Sequence, residues 1–138
     1  MQNTSKENLI YAFGKLEKAI KSFDDAISNY DGIDDVYRDG IIQRFEYCVE
    51  ICRKCIKSYM EYESILCESV SPKFIIKIAH KYKIIENLDI RIDFLDSRNK
   101  LSHLYNEIES QNIFEFIQEN QFVFDKLKSN LENLILSK

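Results

Sequence analysis

Between positions 98 and 105 the chain reads Arg98-Asn99-Lys100-Leu101-Ser102-His103-Leu104-Tyr105. A permanent cation, an amide, an imidazole and a phenol fall within eight residues. The only other histidine is His80, so imidazole chemistry has few places to sit. Histidine titrates near neutrality and can move a proton. Arginine presents a planar fork that can hold a crowded phosphate bidentately. Together they are the minimum needed to cut RNA without a metal: one group removes the 2′-OH proton and another protonates the leaving oxygen. This chemistry calls for no metal and no other cofactor. Tyr105 adds a hydroxyl that another enzyme can modify. The plainer alternative is structural. Asn99 and His103 can hydrogen-bond across a helix contact, and Arg98 can pair with Asp96 or another carboxylate.

The surrounding pattern is helical, with about 100° of turn per residue. Arg98, Ser102 and Tyr105 then project from nearly one direction, with Asn99 and His103 on the next stripe. Arg98 and His103 stand about 140° apart around the axis. They flank a groove unless a second copy of the helix packs alongside. A two-fold dimer would bring two arginines and two histidines to one cleft.

The elements that must hold this helix are legible in the apolar spacing. Leu9, Phe13, Leu16, Ile20, Phe23, Ile27 and Tyr30 step by three and four, which predicts a helix over about residues 5–30 with Thr4 or Ser5 at its N-cap. Asp31-Gly32 ends it. Asp34 or Asp35 caps a second helix, whose Ile42, Phe45, Val49, Cys52, Ile56 and Tyr59 carry it into the mid-60s. Ser71-Pro72 starts a third, with serine at N-cap and proline at N1. Its apolar face is Phe74, Ile75, Ile78, Ala79 and Tyr82, and Lys73, Lys77 and Lys81 line another face. A fourth helix begins near Asp89 with Ile92 and Leu95 inward. A last helix carries Ile113, Ile117, Phe124, Leu127, Leu131 and Leu134. No strand alternation, repeat or linker interrupts residues 1–138, so the expectation is one all-α domain: an antiparallel up-and-down bundle of four to five helices.

Composition agrees. Apolar residues make up 45% of the 138, and Gly 3 with Pro 1 leaves few breakers. The net charge of −4 argues against indiscriminate binding to nucleic acid. Residues 1–70 are net −4, residues 71–103 net +3 and residues 104–138 net −3, so the basic segment holds the Arg-His cluster. A solvated helix face also explains that asymmetry. Cys48, Cys52 and Cys55 share one helical face without the second ligand pair that a zinc site needs. They read as small buried hydrophobes in a reducing compartment. With no apolar leader and no membrane-length apolar run, a cytoplasmic protein off the membrane is expected.

Arg98-x4-His103-x-Tyr105 resembles the signature of the HEPN superfamily (higher eukaryotes and prokaryotes nucleotide-binding domains). More closely, the chain looks like the nucleotidyltransferase substrate-binding proteins. The run Arg38-Asp39-Gly40-Ile41-Ile42-Gln43-Arg44-Phe45-Glu46-Tyr47 resembles that family's helix-2 motif, and Ser71-Pro72-Lys73 its helix-3 start. The resemblance spans most of residues 8–135. Tryptophans usual after the helix-2 motif and before the Arg-Asn pair are absent; Arg53 stands at the first of those positions. The resemblance implies a HEPN-like dimeric bundle partnered by a minimal nucleotidyltransferase from an adjacent gene. In related toxin–antitoxin pairs the HEPN member is a ribonuclease that its partner silences by adding AMP to the signature tyrosine. Carried over, Arg98 and His103 are catalytic, Asn99 supports them, Tyr105 is modified, and Arg44 and Ser102 contact the RNA or nucleotide. The alternative is a non-catalytic subunit that binds a substrate or nucleotide for the nucleotidyltransferase.

Overall fold

The computed structural model describes residues 2–101 and 107–137. Six helical segments follow one another, with no strand among the described residues: α1 (Gln2–Ser28), α2 (Asp35–Tyr62), α3 (Pro72–Lys81), α4 (Leu88–Leu101), α5 (Glu107–Glu119) and α6 (Phe122–Leu136). This is the expected all-α plan with its fifth helix interrupted. The break falls at Asn120–Gln121, where the Val123 and Phe124 amides bond three residues back, to Asn120 and Gln121.

α1 and α2 make the most extensive pairing and form the spine. The turn between them follows from its residues. The Asp31 carboxylate accepts from the Ile33 and Asp34 amides at 2.8 and 3.1 Å, and Gly32 takes φ 84°. A left-handed residue there costs glycine nothing. Asp34 then caps α2, accepting from the Val36 and Tyr37 amides. Every residue of the α2 seam from Ile42 to Tyr59 is buried, and so are Leu9, Leu16, Ile20 and Phe23 of α1.

The core joins all six segments, and an aromatic knot lies within it. Phe124 at the start of α6 meets Phe23 edge-on at 5.3 Å, stacks on Phe94 at 5.1 Å and touches Phe45. Such pairs add about 1 kcal/mol each beyond area burial, and they fix α4 against α2 and α6.

Several local expectations change. α1 begins at Gln2, so Thr4 and Ser5 are helical and not caps. Ser71 occupies the N-cap of α3 but makes no side-chain cap bond, which leaves Pro72 as the start signal. On α3, Ile76 is buried and Tyr82 lies exposed at the C-cap, because the helix turns its Ile75–Ala79 side inward. On α4, Phe94 joins Leu95 in the core and Ile92 is half-buried.

Candidate functional site

The site begins with the last turn of α4. Arg98 is half-buried there, and its Nη1 lies 3.4 Å from Glu50 Oε2 on α2. Glu50 also takes Arg53 as an ion-pair partner and has Lys54 Nζ at 3.9 Å. The Arg53 hydrogen bond, ahead of the charges of Arg53, Arg98 and Lys54, holds the Glu50 carboxyl below the usual range. One turn back on α2, partial burial raises Glu46, against an opposing pull from Arg98. Glu50 therefore holds the guanidinium, whose charge is also felt at Glu46 of the helix-2 motif. Asp96, the nearer candidate by sequence, is taken by Lys73 at 2.9 Å.

Asn99 is exposed on the same turn. Ser102, His103 and Tyr105 lie outside the described residues. The next described residue is Glu107 of α5, and it too is tied to α2. Arg38, only 3% exposed, has Nη1 2.6 Å from Glu107 Oε1, and the same nitrogen donates to Gln111 Oε1 at 3.1 Å. Arg38 also pairs with Asp39 at 3.1 Å. The hydrogen bond to Glu107 outweighs burial and raises the arginine's pKa, and it lowers that of Glu107. α2 thus anchors both flanks of the signature segment, through Glu50 at Arg98 and through Arg38 at Glu107.

Arg44 is placed elsewhere. Its Nε donates to Ser22 Oγ and its Nη1 to the Gly40 carbonyl, both at 3.2 Å, so it lies against α1. Six residues on, Glu50 is turned about 120° from Arg44 around α2. Of the helix-2 motif, Glu46 reaches the Arg98 side within this chain and Arg44 does not.

Sequence reasoning passed over Arg38 as a tie and missed Arg91 altogether. Arg91 is 5% exposed and donates from Nη2 to the Val123 carbonyl at 2.8 Å, pinning α4 to the start of α6. Its Nε has no hydrogen-bond partner among the described residues. Burial lowers its pKa, against its contact with Cys52. The cysteines are free, and Cys48, Cys52 and Cys55 are buried as expected. Burial pushes the Cys52 thiol up to about 11 and Cys55 to about 12, so neither is a thiolate at neutral pH. No cluster of three metal-ligating side chains occurs among the described residues.

The family described as "Nucleotidyltransferase substrate binding protein like" matches residues 11–133. The chain belongs to that family. Over 103 residues it is 23% identical to a Haemophilus influenzae protein named "Probable ribonuclease HepT", covering 70% of each chain. A Thermus thermophilus protein of known crystal structure has the same fold, with TM-score 0.75, 26% identity, and coverage of 84% of this chain and 98% of that one. The HEPN resemblance drawn from the two motifs is therefore borne out, and the helix-2 motif of this family member gains a physical role in Arg38 and Glu46. No helix among the described residues is long and apolar enough to cross a membrane.

Proposed function

We propose that this chain is the HEPN partner of a minimal nucleotidyltransferase and acts as a metal-independent ribonuclease. The observation that carries the reading is the complete Arg98-x4-His103-x-Tyr105 series in a member of this family, with Arg98 held at the surface by Glu50. His103 takes the 2′-OH proton as the 2′ oxygen attacks phosphorus. The bond to the 5′ oxygen breaks, and a second imidazole, from the other subunit of a homodimer, protonates that oxygen. Arg98 stabilises the charge on the crowded phosphate, and Asn99 orients a phosphate oxygen or the imidazole. Arg44 and Ser102 contact the RNA, and in a dimer Arg44 serves away from its own subunit's Arg98. AMP added to Tyr105 would place a phosphate and a base over the cleft and silence it.

RNA incubated with purified protein and excess chelator tests this. Cleavage is expected, with a loss of about 10³-fold in His103→Ala; unchanged activity in that variant removes His103 from the mechanism. Incubation with the nucleotidyltransferase and ATP should add one AMP to the chain at Tyr105 by intact-protein and peptide mass spectrometry. Addition elsewhere, or none, refutes the silencing step.

The family's own description, substrate binding, favours a second reading in which the chain only presents a nucleotide or other substrate to its partner. That reading expects no cleavage and a nucleotide affinity lost in Arg98→Ala. Calorimetry showing no heat with any nucleotide counts against it.

A further inference from the structure

A continuous furrow runs along the outer face of the α1–α2 pair, starting where Arg53 shares the Glu50 carboxylate with Arg98 and leading away from it. Its four compartments, about 420, 360, 460 and 330 Å³, share lining residues in series: Tyr11 and Lys15, then Lys18, Ser22 and Arg44, then Ala26 and Tyr37. From Asn8 of α1 to Asn29, just past its end, it extends about 30 Å at 1.5 Å per residue.

Its charge opposes that of the chain. Seven cations line it against three carboxylates among the described residues, in a protein of net charge −4. Of the three carboxylates, Asp25 is paired with Lys21 at 3.2 Å and Asp34 is engaged in capping α2. Arg53 and Lys54 face Glu50. Lys15, Lys18, Arg44 and Lys57 have no carboxylate at ion-pair distance among the described residues. Three tyrosines are interleaved with them: Tyr11 is 70% exposed, Tyr47 50% and Tyr37 39%. Lys15 Nζ lies 5.5 Å from the centre of the Tyr11 ring.

We propose that this furrow binds single-stranded RNA, its cations tracking the phosphates and its tyrosines stacking on bases. The proposal rests on RNA being the substrate and gives the chain a second contact with it, outside the cleavage cluster. A purely acidic protein segment would use the lysines but leave the open faces of Tyr11, Tyr47 and Tyr37, the last stacked on Tyr30, without a role. Alternating cations and aromatic faces are what a base-bearing polyanion needs. The length suits roughly five nucleotides of extended strand.

The test is fluorescence anisotropy with a labelled, mixed-sequence single-stranded RNA of about 12 nucleotides, on the full-length His103→Ala chain so that no cleavage intervenes. With four cations neutralised, log affinity should fall against log salt with a slope of about −3. Lys15→Glu with Lys18→Glu should weaken binding at least ~10-fold, while Lys77→Glu with Lys81→Glu on α3, an equal charge change, should weaken it far less. Tyr11→Ala with Tyr47→Ala should weaken RNA but not heparin, a polyanion without bases. Circular dichroism checks each variant, and Lys15→Gln with Lys18→Gln replaces the reversal if helix is lost. No RNA binding, equal losses from the α1 and α3 reversals, or no effect of the tyrosine pair would overturn the proposal. Effective competition by poly-glutamate together with silent tyrosine variants would assign the furrow to an acidic protein. Cleavage by the wild-type chain is measured separately, so either idea can fail alone.

Discussion

Arg38, Arg91 and Arg98 bring the same guanidinium to three different settings. Arg38 is buried against carboxylates that keep their other sides in water; Arg91 is buried against a carbonyl and a thiol; Arg98 is one-third exposed beside Glu50. Sequence spacing distinguished only Arg98, because its chemistry depends on neighbours in the chain. The other two depend on residues 32 to 73 positions away, which no local pattern exposes. The same blindness hid the acidic pair Asp24 and Asp125. Desolvation by the surrounding protein, then the Asp24 carboxylate, raises the exposed Asp125 to about 6. A carboxyl whose folded pKa lies above its unfolded value binds its proton more tightly in the native state, so stability declines as pH rises from about 4 to about 6. Asp125→Asn should therefore stabilise the protein at pH 7.5 by about 1 kcal/mol after allowing for solvent screening, and by much less at pH 4. Thermal melts at the two pH values check this; equal gains at both would show that the carboxylate carries no penalty.

At the scale of elements, α2 is the organising piece. Its seam was fully readable, since a three-four repeat of Ile, Phe, Val, Cys and Tyr can bury only one face. α4 was poorly readable. A buried arginine replaces an apolar residue on its inner face, so its periodicity is weak, and Phe94 finds its place only through Phe45 and Phe124. The division of α5 from α6 was unreadable for a related reason. The apolar register continues across Asn120–Gln121, although Gln121 turns aside to donate to Asp24 at 2.6 Å. Arg38 ties the described start of α5 to α2. Arg38→Ala should cost about 2 kcal/mol in urea unfolding, less than for a fully buried ion pair because the orphaned carboxylates remain solvated. It should also slow RNA cleavage by releasing the chain just beyond the signature segment. Unchanged stability would show that the Glu107 contact contributes nothing.

Across the whole molecule, charge is sorted in space in a way that sequence blocks conceal. Residues 1–70 are net acidic, yet seven of their cations line one furrow along the α1–α2 pair, and at its end Glu50 is shared between the furrow's Arg53 and Arg98. The bundle thus presents a basic furrow that ends beside an acid-anchored arginine. Family and fold could be read from two motifs and the helical period. The furrow could not, because it exists only once two antiparallel helices lie side by side. The central claim is that Arg98 and His103 act as one RNA-cleaving unit. Its most direct test is a double-mutant cycle on kcat/KM for RNA cleavage in excess chelator, with Arg98→Ala, His103→Ala and the double variant. A single unit should lose about 10³-fold on removal of either residue and little more on removal of both. Full activity in either single variant, or losses that multiply in the double, would contradict it.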